Sequence, residues 1–178
     1  MTPEELKALV RTVPGFPQPG IQFRDITPLL AHAKGLAGSI TALADLARGV
    51  EAQAVAGIEA RGFIFGTALA LELGLGFVPL RKPGKLPVAT ISEDYALEYG
   101  TARLELDPTL IERGERVLLV DDLLATGGTA TAGMRLLRRA GAIVEHALFL
   151  IDLPDLPGRA ALADEGVAAH AVMAFGGH

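Results

Sequence analysis

Residues 117–130 read VLLVDDLLATGGTA. Four apolar residues run into two adjacent carboxylates, Asp121 and Asp122, which leave the strand. Ala125-Thr126-Gly127-Gly128-Thr129 then turns into a helix. Paired glycines let a backbone approach a ligand closely, and the N-terminus of a helix offers unsatisfied N–H groups to an anion. The hydroxyls of Thr126 and Thr129 add donors, which makes the turn a cradle of monophosphate size. Two carboxylates at the end of a buried strand cost stability unless something uses them. Ionised carboxylates only accept hydrogen bonds, so they suit a vicinal diol. The stretch therefore fits a ribose 5-phosphate held at both ends, with a magnesium ion on the ribose oxygens offsetting the two charges. It is not a Walker loop, because no GK[ST] occurs, and no GxGxxG follows a strand. A phosphoacceptor domain also carries adjacent acids after a strand, but after its first strand. Here the pair comes two-thirds along the chain.

A second strand end, AVAGIEARGF (54–63), carries Arg61 and Gly62 in a turn before a helix, with Glu59 beside them. A guanidinium with turn amides suits pyrophosphate oxygens. Taken alone, Arg61 reads equally well as a surface ion-pair residue. Arg81, Lys82 and Lys85 add cations a short way downstream, where the alternative is a solvated loop.

The elements that must position these groups alternate along the chain. Thr2-Pro3-Glu4-Glu5 starts a helix with a capping box, and that helix should end before Pro14. PGFPQPG (14–20) is an extended, turn-rich connector, and 34–48 is helical. Strands are expected at 54–58, 76–80, 116–120, 142–151 and 169–175, and helices at 62–73, 128–140 and 155–164. Short continuous apolar strands between helices indicate an α/β fold with a parallel central sheet flanked by helices. Residues 81–106 break the rhythm, with two prolines and three cations at the front and alternating stretches behind them, and read as a β-ribbon flap over a site.

The 178 residues fit one domain, 1–178, and half of them are hydrophobic, which argues against disorder. The apolar stretches fall short of the ~18–20 residues a membrane span needs, and the N-terminus does not read as a signal peptide. There is no cysteine, which removes thiolate chemistry and is compatible with a cytoplasmic setting. The four histidines lack metal-ligand spacing, so no metal directly ligated by the protein is expected. A net charge of −5 argues against a nucleic-acid partner.

VLLVDDLLATGGTA resembles the phosphoribosyl-diphosphate (PRPP) signature of the type I phosphoribosyltransferase family, which some regulatory relatives share. PGFPQPGIQFRDITPLL (14–30), ARGFIFG (60–66), RKPGKLP (81–87) and LEYGTARLEL (97–106) are similar, in order and spacing, to the members of that family that act on adenine. The resemblance covers nearly the whole chain. It implies the reaction adenine + PRPP ⇌ AMP + pyrophosphate with Mg2+, in a homodimer with a small N-terminal hood over residues 1–33. It implies that Asp121 and Asp122 bind the ribose and that Ala125, Thr126, Gly127, Gly128 and Thr129 bind the 5-phosphate. Arg61, Lys82 and Lys85 would bind pyrophosphate, with Arg81 reaching toward a partner's site. Gln22, Phe23 and Arg24 match the adenine-contacting segment, and Glu98 matches the catalytic acid, followed by Tyr99 in the flap. The family commonly has serine where this chain has Ala60, in a loop where a non-proline cis peptide is typical. A phosphoribosyltransferase for another purine base and a PRPP-binding regulator without catalysis are the alternatives.

Overall fold

The computed structural model describes residues 1–97 and 100–177, excepting the Leu97 side chain. Glu98, Tyr99 and His178 lie outside the described residues.

Thr2 caps the first helix, α1 (Pro3–Lys7), through the expected capping box. Its hydroxyl accepts from the Glu5 N–H at 3.3 Å, and the Glu5 carboxylate accepts from the Thr2 N–H at 2.9 Å. The helix stops at Lys7, well before Pro14. Residues Arg11–Pro14 form β1, which pairs antiparallel with β2 (Gln22–Asp25) around the connector. Val10, Thr12 and Val13 are β-branched and favour the extended form, which a reading based on the capping signal alone overlooked. Two helices follow, α2 (Thr27–Ala31) and α3 (Ala33–Ala47).

The remaining elements are β3 (Ala54–Ile58), α4 (Arg61–Leu73), β4 (Gly76–Leu80), the ribbon β5 (Ile91–Leu97) and β6 (Gly100–Leu106), β7 (Val117–Leu124), α5 (Gly128–Ala140), β8 (His146–Asp152), α6 (Gly158–Asp164) and β9 (Ala168–Ala174). Five strands form one parallel sheet in the order β4-β3-β7-β8-β9. Two expectations shift. The strand placed at 142–151 begins at His146, since only Ile143 makes a single bridge, to Arg116. β7 runs on to Leu124, so Asp121 and Asp122 sit within the strand rather than beyond it.

Successive residues of each strand feed opposite cores. Ala54, Ala56 and Ile58 pack with Leu119 and the α5 residues Met134 and Leu137 on one face. Val55, Leu118 and Val120 pack with Leu43 of α3 and Phe65 and Leu69 of α4 on the other. Both faces are thus covered by helices, as a parallel sheet requires. Chain order reverses between β3 and β7, and in such sheets the crevice beyond the carboxyl ends at that point is where ligands bind. Among the described residues no helix is long and apolar enough to cross a membrane.

Candidate active site

The crevice beyond β3 and β7 is a cavity of about 330 Å³. Its walls bring together the two stretches that the sequence set apart, Glu59–Arg61 after β3 and Asp121–Ala130 at the end of β7. Two helices begin at it. α4 is preceded by Ala60 and α5 by Gly127, and neither helix has a side-chain cap. Their first N–H groups therefore remain available to an anion, where the helix dipoles also favour negative charge. Gly127 holds φ at +86°, the left-handed region that glycine enters at little cost, and this turns the chain from β7 into α5. Gly62 serves a different purpose. A Cβ there would lie 2.8 Å from Asp121 Oδ1 and 3.0 Å from the Val120 carbonyl, so only glycine lets α4 start this close to β7.

The two acids differ in surroundings. Asp122 is buried, and its carboxylate accepts from Nε of Arg61. Asp121 accepts the Asp122 N–H at 2.9 Å through Oδ1. Burial first, and the neighbouring Asp122 charge second, push the Asp121 carboxyl well above its ordinary range. Burial works against the Arg61 charge, but the Asp122 carboxylate outweighs it and holds the guanidinium firmly protonated.

The Glu59–Ala60 peptide is cis. Glu59 accepts from Arg81 Nε at 2.9 Å and from the Lys82 N–H at 2.8 Å. Its carboxyl is held below the ordinary 4.5, first by the Arg81 hydrogen bond. Glu59 thus fastens the start of the 81–106 segment to the β3 end. Lys82 lines the cavity, whereas Arg81 and Lys85 do not. The Arg81 side chain is spent on Glu59 and lies over the Phe63 ring at 5.8 Å.

A second, more apolar cleft of about 700 Å³ adjoins the first and shares Arg61, Ala125 and Thr126 with it. Gln22, Phe23 and Arg24 of β2 line it. Phe23 packs edge-on against Phe16 at 5.1 Å, and the Arg61 guanidinium stands 5.9 Å from its ring. Ala96, near the end of β5, also lines this cleft.

A family model for the phosphoribosyl transferase domain matches residues 22–160. The chain belongs to that family. The adenine phosphoribosyltransferase of Erythrobacter litoralis is 63% identical over 178 residues, all of both chains. The crystal structure of adenine phosphoribosyltransferase from Thermoanaerobacter pseudethanolicus superposes with a TM-score of 0.94 at 48% identity, covering 98% of this chain and 100% of that one. The enzyme from Saccharomyces cerevisiae, solved with an imino-altritol bisphosphate and adenine, matches with a TM-score of 0.88 at 36% identity, over 96% and 97% of the two chains.

Within this phosphoribosyltransferase fold, Asp121, Asp122, Ala125, Thr126, Gly127, Gly128, Thr129, Arg61 and Lys82 share one cavity. Gln22, Phe23 and Arg24 share the neighbouring cleft. Glu98 lies outside the described residues. Three features escaped the sequence reading. Tyr95 of the ribbon lines the first cavity, and Leu153 and Leu156, which follow β8, wall the second. The leucines follow a third strand end beside β7, so the strand-end rule could have found them. Tyr95 had no such signal. The Arg24 side chain is the third: it is buried, and its guanidinium donates to Thr12, Gly176 and Gly177.

Proposed function

We propose that the chain transfers the 5-phosphoribosyl group of PRPP to N9 of adenine, yielding AMP and pyrophosphate, as a purine-salvage pentosyltransferase. The observation that carries this reading is the joining of two unlike subsites. A polar cavity with two uncapped helix N-termini and a carboxylate pair opens onto an apolar cleft bordered by Phe23.

In this reading the α5 N-terminus with Thr126, Gly127, Gly128 and Thr129 holds the 5-phosphate. Asp121 and Asp122 accept from the ribose hydroxyls. Arg61 and Lys82 face the diphosphate, with Arg81 and Lys85 joining from the segment's start or across a homodimer. Breaking the anomeric C1–O bond builds positive charge on the ribose ring, and carboxylates held beneath it stabilise that charge. The electron pair of the C1–O bond leaves with pyrophosphate, N9 of adenine supplies the pair for the new C1–N9 bond, and the N9 proton passes to the released diphosphate or to solvent. Glu98, hydrogen-bonded near N7, steadies the reactive tautomer. The segment 81–106 acts as the flap that keeps water from intercepting the ribosyl centre.

Adenine is favoured over a 6-oxo purine because, among the described residues, no lysine lines the base cleft and the Arg24 guanidinium is engaged by the Gly176 and Gly177 carbonyls. Phe23 offers the stacking face, and the backbone of Gln22–Arg24 the edge contacts.

Mg2+ fits the donors present. Asp121 and Asp122 would offer it two carboxylates beside the ribose, with substrate oxygens supplying most of its shell. When bound, magnesium neutralises the leaving diphosphate. We read residues 1–178 as one cytoplasmic domain, with 1–33 as hood and 81–106 as flap.

The test is to supply adenine, PRPP and Mg2+ and follow AMP and pyrophosphate together. Stoichiometric formation supports the enzyme. PRPP binding without product from any base would make the chain a sensor instead.

A further inference from the structure

Arg24 lies in the segment assigned to the base, yet its guanidinium is engaged by other parts of the chain. It is only 8% exposed. Nη1 donates to the Thr12 hydroxyl at 2.6 Å, and Nη2 donates to the carbonyls of Gly176 and Gly177 at 2.9 and 2.6 Å. Its charge sits 4.8 Å from the Phe175 ring, and Lys7 of α1 sits 4.6 Å from the same ring. Lys7 also donates to the Ala174 carbonyl. The residues after β9 are fixed in turn, because the Gly177 N–H donates to Asp155 at 2.8 Å. A Cβ at Gly177 would stand 3.4 Å from the Gln22 amide nitrogen, which brings the segment against the base-side strand itself.

We propose that Arg24 and the segment 175–177 form a clamp that sets the position of the Gln22–Phe23 edge. Base affinity is thereby determined by residues that need not touch the base. A lone hairpin is marginal, and among the described residues β1–β2 pairs with no other strand. The strand that carries Phe23 is therefore held from behind by the Arg24 fork. Three acceptors arranged around one planar group are a geometry that guanidinium satisfies and a lysine ammonium does not. Arg24 is a positioning residue: it locates a stacking face and a row of backbone groups, and small displacements of such groups are felt strongly.

The inference rests on the adenine reading, so the wild-type protein is assayed first. Two variants then test the clamp. Arg24→Lys keeps the charge and loses the fork. A chain ending at Phe175 removes the two carbonyl acceptors while leaving β9 and the Phe175 ring. We expect KM for adenine to rise about ten-fold or more in both. KM for PRPP, and kcat at saturating adenine, should stay within about two-fold. Thr12→Val, which removes a single acceptor, should give a smaller rise in the same constant. Should either variant fold poorly, Thr12→Val keeps the test open. Equal rises in both KM values, or no change in KM for adenine in variants that keep their melting temperature, would overturn the clamp while leaving the adenine reading intact. A wild-type protein that makes no AMP would remove the adenine reading itself.

Discussion

Replacing Gly127 by alanine tests the phosphate cradle most sharply. Its φ of +86° lies where L side chains collide with the backbone, and holding alanine there costs about 1–2 kcal/mol. The new methyl would also meet Gly158 Cα at 3.0 Å and Ala161 Cβ at 3.1 Å. Both belong to α6, which is anchored to the sheet and yields only partly. Overpacking of this kind adds about 1 kcal/mol or more. A total of about 2–3 kcal/mol in a chain of this size lowers the melting temperature by roughly 4–12 °C. Relief of the clash would also draw the turn, and the first N–H groups of α5, out of line with the 5-phosphate. Gly128→Ala is the control. It has no positive φ, and its Cβ would meet only the Ala96 carbonyl of the ribbon closely, at 3.1 Å. Thermal melts together with PRPP titration separate the two. Gly127→Ala should lose both stability and PRPP affinity, and Gly128→Ala should keep its melting temperature. A Gly127→Ala protein that melts with the wild type and binds PRPP equally would refute the argument from backbone geometry.

Three further outcomes follow from the site. Asp121→Asn should raise the melting temperature while weakening PRPP binding. Burial and the Asp122 charge disfavour the Asp121 carboxylate, and asparagine can still accept the Asp122 N–H; a loss of stability would count against this. Glu98→Gln should lower turnover by about 100-fold or more with little effect on PRPP affinity, as expected for a proton-handling group. An equal loss of both would remove that role. Glu59 has its folded pKa depressed below 4.5, so its contribution to stability is full above that pH and fades as pH falls through the folded value. The stability gap between wild type and Glu59→Gln, followed by denaturant unfolding, should therefore shrink on acidification below about pH 4.5. A gap that widened there would contradict the assignment.

Much of this was readable from residue order because the signals are local. The apolar runs AVAGI and GFVPL match β3 and β4 residue for residue, and GTATAGMRLLRRA matches α5. Asp121–Asp122 and Arg61 each follow a buried apolar run, and the parallel sheet then brings those two strand ends side by side. What could not be read depends on distant partners. The β1–β2 hairpin is stabilised by residues at the far end of the chain, and the orientation of Arg24 by carbonyls more than 150 positions away. The pairing of Arg81 with Glu59 rather than with the cavity is likewise a tertiary choice between equally plausible partners.

The central claim is that Phe23, Arg61, the Asp121–Asp122 pair and the Ala125–Thr129 turn assemble a site for adenine and PRPP. The most direct measurement is kcat/KM for adenine, hypoxanthine, guanine and xanthine at saturating PRPP and Mg2+. We expect adenine to exceed each 6-oxo base by about 100-fold or more, since a base lacking its polar partners leaves buried groups unpaired. Comparable or greater efficiency with any 6-oxo base would contradict the claim.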